Sequence, residues 1–210
     1  MKTLIAVPCM DMVYTSFTKA LLSLERVGDT RVSFVCSSLI YDARNSLAKQ
    51  AVIEGYDRVL WLDSDMVFEP NLLARLTKHI DEGKEFVSGI FFKRKPPFTP
   101  VIYSKVAVER DEEKGITIPI ADPYLDYPKD SVFEVAGCGL GAVMMTTDLI
   151  NRVAQTFGLP FSPILGLGED LSFGLKVKNI GAQIWCDSRI KVGHTGFGNI
   201  TEETYLSTQR

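Results

Sequence analysis

The sequence predicts an α/β fold: one domain over residues 1–210, with a mostly parallel central sheet flanked by helices and a small hairpin subregion. Two observations carry this. Through the first 92 residues, apolar runs of strand length alternate with stretches of helical spacing, and strand–helix repetition of that kind builds parallel sheets. From Lys95 to Ser131 the chain is rich in proline and charge, and afterwards strand and helix patterns return. Ligands of such sheets bind beyond the carboxyl ends of the strands.

The elements follow in order. "TLIAV" (3–7), stopped by Pro8, is a first strand. Val13, Phe17, Ala20, Leu21, Leu24 and Val27 recur at helical spacing, which predicts a helix that Gly28 closes. "RVSFVCSS" (31–38) is a second strand, and 42–55 a helix with Ala43, Leu47, Ala48 and Ala51 on one face and Gly55 as its stop. "RVLWL" (58–62) is the third strand, 69–80 a helix with Pro70 near its first turn, and "FVSGIFF" (86–92) a fourth strand. "ERDEEKG" marks a hairpin tip. After the glycine-rich "VFEVAGCGLGAVMMTT" (132–147) come helices at 148–157 and 169–181, then strands at 182–187 and 189–194. The domain divides into a first half (1–92), a second half (93–196) and a polar tail (197–210) expected to lack fixed structure.

Composition excludes several classes. A net charge of −3 leaves no electrostatic footprint for nucleic acid, and the one basic cluster, "KRKPP" at 93–97, is too short to outweigh it. No window approaches the roughly 20 apolar residues that span a bilayer, so no transmembrane segment is expected. "MKTLIAVPCMD" reads as a first strand, not a signal peptide. Of the four cysteines (Cys9, Cys36, Cys138, Cys186), three sit in or beside apolar runs and read as small buried hydrophobes. A cytoplasmic, reducing setting is the expectation.

The chemistry begins at "RVLWLDSDM" (58–66), where a buried strand ends in Asp63 and Asp65 with Ser64 between them. In an extended segment residues i and i+2 share a face. Like charges there repel, so one carboxylate keeps its proton unless a cation lies between them. Hard carboxylate oxygens suit Mn2+ or Mg2+ and leave positions open for phosphate. A solvated turn is the competing reading.

Several motifs in order extend this. "YDARNSLAKQAVIEGYDRVLWLDSDMVFEPNLL", "GCGLGAVMM", "GEDLSFGLKVKNIGAQIW" and the late "KVGHTG" together resemble the GT-A-fold (Rossmann-like) nucleotide-sugar glycosyltransferases, above all the family 2 type. The likeness runs from about residue 3 to 196, except for 95–131.

The resemblance implies metal-dependent transfer of a sugar from a nucleoside-diphosphate sugar, UDP-sugar first, to a hydroxyl-bearing acceptor of unknown kind, with inversion. Asp65 would ligate Mn2+ or Mg2+, Asp63 would reach the ribose or a metal-bound water, and His194 would add a third protein contact. Pro8, Arg44 and Ser64 fall where such enzymes hold the donor. Gly137, Gly139 and Gly141 read as a loop allowing close approach of a sugar, or as a plain tight turn. Asp170 is the candidate general base; otherwise it is an acid placed at a helix start by the dipole. Arg44 is otherwise a solvated helix charge, and His194 a structural histidine.

Two other functions remain open. One is a sugar- or nucleotide-binding module on the same fold without turnover, to which a base would be useless. The other is a sugar nucleotidyltransferase, although "VPCMDM" lacks the glycine-rich phosphate loop that such enzymes carry after the first strand.

Overall fold

The computed structural model describes residues 1–196 and 199–208. Its elements are β1 (Lys2–Cys9), α1 (Thr15–Ser23), β2 (Asp29–Cys36), α2 (Ile40–Ile53), β3 (Arg58–Leu62), β4 (Met66–Val67), α3 (Leu72–Asp81), β5 (Phe86–Ile90), β6 (Ile102–Asp111) and β7 (Ile116–Pro123). They continue with β8 (Val132–Val135), β9 (Gly137–Cys138), β10 (Ala142–Thr146), α4 (Thr147–Phe157), α5 (Glu169–Asn179), β11 (Ile184–Lys191), β12 (Gly193–Thr195), β13 (Asn199–Ile200) and α6 (Glu202–Ser207).

A seven-stranded sheet in the order β2-β1-β3-β10-β5-β11-β8 forms the centre. β10 and β8 run against the other five strands, so the sheet is mixed with a parallel majority. Alternation along the strands feeds two cores. Leu4, Ala6, Val59 and Trp61 face Leu47, Ala51, Leu149 and Phe173 of α2, α4 and α5. Ile5, Val7, Leu60 and Leu62 face Phe17, Leu73, Leu76 and Ile80 of α1 and α3. Burial on both faces explains why these strands read as continuous apolar runs.

Two smaller sheets adjust the sequence expectations. β6 and β7 form the expected hairpin, with β9 paired along β6. The stretch read as strands 182–187 and 189–194 is instead one strand, β11, with an irregular register between Asp187 and Lys191, followed by the separate β12. β12 pairs with β4, setting His194 opposite Met66.

Two helices also differ. The first ends at Ser23, well before Gly28, because Leu24 is extended and Glu25 donates its N–H to the Pro70 carbonyl. The polar tail is ordered where it is described: Tyr205 of α6 is buried and stacks on Phe92 with ring centroids 5.0 Å apart. Glu202 of the same helix is buried too, accepting from Tyr127 Oη at 2.8 Å and paired with Lys129 and Lys191, so an aromatic and an acid together dock the segment. Residues 197, 198, 209 and 210 of that predicted tail lie outside the described residues.

Cys9, Cys138 and Cys186 are buried as expected, while Cys36 is exposed, and all four are free thiols. No helix among the described residues is long and apolar enough to cross a membrane.

Candidate functional site

The carboxyl ends of β1, β3, β5 and β11 open on one side of the sheet, and the segments leaving them converge there. A cavity of about 580 Å³ is lined by Tyr14 after β1, Asp63 after β3, Phe91, Lys93, Arg94 and Lys95 after β5, and His194 and Gly196 after β11. Val101 and Asp170 complete the wall. A second groove of about 490 Å³, between α2 and α4, holds none of the predicted site residues.

Asp63 and Asp65 do not face one another as an extended i, i+2 pair. β3 stops at Leu62, and the chain turns at once, with Met66 N–H donating to the Asp63 carbonyl at 3.1 Å. The turn is pinned on both sides: Tyr14 N–H donates to Ser64 O at 3.1 Å, and Thr195 N–H to Asp65 O at 2.8 Å. It sends the two carboxylates to different partners, and each partner includes an arginine.

Asp63 belongs to Arg44. The guanidinium, 2% exposed, donates from Nη2 to Asp63 Oδ1 at 2.7 Å and from Nε to Glu169 Oε1 at 3.1 Å. It also lies 5.7 Å from the Trp61 ring. Burial alone would lower the Arg44 pKa, but the facing carboxylates of Asp63 and Glu169 reverse that and raise it. Arg44 is therefore a buried strut, not a solvated helix charge. This strut takes up one of the two Asp63 oxygens, and Asp63 still lines the cavity.

Asp65 meets Arg94 and His194. Arg94 Nη1 is 2.9 Å and His194 Nε2 3.3 Å from the same oxygen, Oδ2. His194 Nδ1 lies 2.8 Å from the Phe92 carbonyl, which can only accept, so Nδ1 carries a proton and Nε2 points at the carboxylate. The other oxygen, Asp65 Oδ1, is buried with no hydrogen-bond partner among the described residues. A carboxylate with one oxygen beside an imidazole nitrogen and the other without a partner fits a divalent cation. Magnesium commonly takes one or two carboxylates and completes its shell with phosphate oxygens and water. Among the described residues no group of three His, Cys, Asp or Glu side chains forms a cage, so the fit is to Asp65 and His194 alone.

Asp170 sits at the second position of α5, where its Oδ1 accepts the Leu171 N–H at 2.7 Å. Burial first, then the neighbouring Glu169 carboxylate, push its carboxyl up to about 6, against the opposing pull of that hydrogen bond and of Arg44. Such a group is ionised at neutral pH yet basic enough to take a proton.

The remaining predicted residues are placed less centrally. Pro8 is buried in β1 opposite Val35 of β2 and lines no part of the cavity described above. Gly139 and Gly141 have ordinary backbone angles, and the space a Cβ would need is filled from within the protein. At Gly139 it would come 2.7 Å from Val101 Cγ1, and at Gly141 2.5 Å from Met66 Cε. Gly137 is likewise crowded by Val106 at 2.9 Å. Close packing of side chains thus accounts for these glycines without a sugar.

Sequence reasoning missed Glu169, the second arm of the Arg44 strut, and the basic wall of Lys93, Arg94 and Lys95. A signal for the wall existed. "KRK" follows, after Phe91 and Phe92, a strand that ends on the ligand side of the sheet, but net charge alone gives such a short run no weight.

No protein-family model and no curated protein matches this sequence. Among solved structures, the chain is similar to the crystal structure of A197 from STIV, with a TM-score of 0.64 and 19% identity over 93% of this chain and 86% of that one. The likeness is one of fold. It supports the α/β architecture and assigns no chemistry.

Proposed function

We propose that this chain is a glycosyltransferase that moves a sugar from a nucleoside-diphosphate sugar, UDP-sugar first among donors, to an acceptor hydroxyl with inversion. One observation carries the reading: Asp63, Asp170 and His194 line one cavity with Lys93, Arg94 and Lys95. A wall of cations suits a diphosphate, and a carboxylate of raised pKa suits deprotonation of a hydroxyl.

Asp65 and His194 would hold Mn2+ or Mg2+. When bound, the cation supplies Lewis-acid compensation for the charge on the departing diphosphate. The residues of the chain do the rest. Arg44 orients Asp63 for the donor ribose and, by the same contact, occupies one of its oxygens. Of the two carboxylates lining the cavity, Asp170 is then the one left without an arginine partner, and it takes the proton of the acceptor hydroxyl. That hydroxyl would attack the anomeric carbon as the diphosphate leaves, and a single displacement of this kind inverts the configuration.

A panel of nucleoside-diphosphate sugars, scored for release of nucleoside diphosphate with and without acceptor alcohols, tests the reading. Release from at least one donor, faster with acceptor, is expected. Retention of every donor without release would make the chain a binding module. Formation of nucleoside triphosphate from a sugar nucleotide and pyrophosphate would make it a nucleotidyltransferase.

A further inference from the structure

We propose that Arg94 and the divalent cation alternate on Asp65: Arg94 holds the carboxylate until the cation binds, then turns to the donor diphosphate. This rests on the metal and donor reading above and adds to it a regulatory exchange within the same site.

The contact geometry sets up the competition. Arg94 Nη1 and His194 Nε2 approach the same Asp65 oxygen, at 2.9 Å and 3.3 Å. A guanidinium at that oxygen and a cation held between that oxygen and the imidazole claim the same space and the same charge. A purely structural ion pair would be expected to leave the carboxylate satisfied. Here Oδ1 stays buried and unpartnered among the described residues.

The pair is also lopsided. The Asp65 side chain is 14% exposed and that of Arg94 46%, so the acid is fixed and the arginine can move. The solvent that reaches the arginine screens the pair and keeps its free energy modest, so the Arg94 contact yields to a doubly charged competitor.

The backbone around Arg94 is meanwhile held. Lys93 N–H donates to Thr99 O at the base of its loop and Phe98 N–H to Lys95 O at the tip, both at 2.9 Å. The arginine stem runs beside Gly196, where an added Cβ would meet Arg94 Cβ, Cγ and Cδ at 3.3, 3.5 and 3.6 Å. A fixed loop carrying a half-exposed guanidinium, with Lys93 and Lys95 on the same cavity wall, can redirect that guanidinium to phosphate oxygens. The planar fork suits two of those oxygens at once.

The test is calorimetry on wild type and Arg94→Gln, first with Mn2+ alone, then with UDP at saturating Mn2+. The two constants are expected to move in opposite directions. Mn2+ alone should bind the variant about two- to fivefold more tightly, because a competing ion pair of ordinary surface strength is gone. UDP should bind it about tenfold or more weakly, because a charged hydrogen-bonding partner of the diphosphate is lost. A structural role for Arg94 would weaken both constants together or change neither, and either pattern overturns the exchange. Tighter Mn2+ binding with no UDP binding to either protein would overturn the donor reading and the second station of Arg94, leaving only competition at Asp65. No Mn2+ binding to either protein would overturn the metal site and the exchange with it.

Discussion

Arg44 Nη2 donates to Asp63 Oδ1 over 2.7 Å from a side chain 2% exposed, so the first carboxylate of the D-S-D turn already has its cation inside the protein. Two acids depend on that cation, Asp63 and Glu169. Arg44→Ala leaves both without a partner in a partly buried place. A loss of about 2–4 kcal/mol in unfolding free energy is expected, somewhat below the range for fully buried pairs because Asp63 is 30% exposed. Arg44→Lys should recover little, since a point charge cannot span both carboxylates. Urea unfolding at neutral pH measures this, and a loss below about 0.5 kcal/mol would return Arg44 to the status of a surface charge.

Asp170→Asn separates a base from a helix-start acid. Transfer to acceptor should fall by about 10²–10⁴, with donor affinity unchanged. In wild type, kcat/KM should decline below a pH of about 6, where the carboxyl takes its proton, and the residual rate of the variant should lose that limb. Stability moves the other way. The folded pKa of about 6 lies above the ordinary 3.8, so the folded state binds this proton more tightly and stability falls as pH rises through that window. The variant escapes the fall and should melt higher than wild type at neutral pH, with an unfolding free energy larger by about 1–3 kcal/mol. Intact transfer with a lowered melting point would make Asp170 a helix-start acid.

Lys176 supports the Arg44 strut from behind. Its buried Nζ donates to the carbonyls of Leu159, Pro160 and Ser162 and to Ser162 Oγ, at 2.7–3.1 Å. That gathers the loop whose Phe161 packs on Trp61, with ring centroids 5.0 Å apart. Lys176→Met leaves the acceptors unpaired and should cost about 2–4 kcal/mol. Altered Trp61 emission in the folded protein is the second readout, and an unchanged spectrum would mean the loop holds without the lysine.

His194 adds one neutral ligand to Asp65, and water can take its place. His194→Ala should therefore weaken Mn2+ binding by only about tenfold, against complete loss for Asp65→Ala. Calorimetry with Mn2+ alone reads both, and an unchanged affinity in His194→Ala would leave the histidine a purely structural role.

Much of this site is legible in the sequence because it hangs on strand ends. Asp63, Asp65 and His194 each follow an apolar run, and parallel topology collects those ends on one side. Asp170 is legible for a related reason, as the acid that opens a patterned helix. What is hidden depends on contacts between segments far apart in the chain. Arg44 and Glu169 are 125 residues apart, and no local pattern foretells their pairing. The turn after Leu62 is hidden as well, since the period-2 rule holds only while the chain stays extended. That is why the aspartates go to separate arginines. The three glycines stay ambiguous in the sequence for a different reason: a crowded side-chain contact and a ligand approach demand the same residue.

The most direct test of metal-dependent sugar transfer is the rate of UDP release from a UDP-sugar panel by wild type and Asp65→Ala, in Mn2+ and in excess chelator. Release by wild type in Mn2+ alone is expected, with chelator and Asp65→Ala each reducing it to background while the melting curve of the variant stays cooperative. Full turnover in excess chelator, or by folded Asp65→Ala, would contradict it.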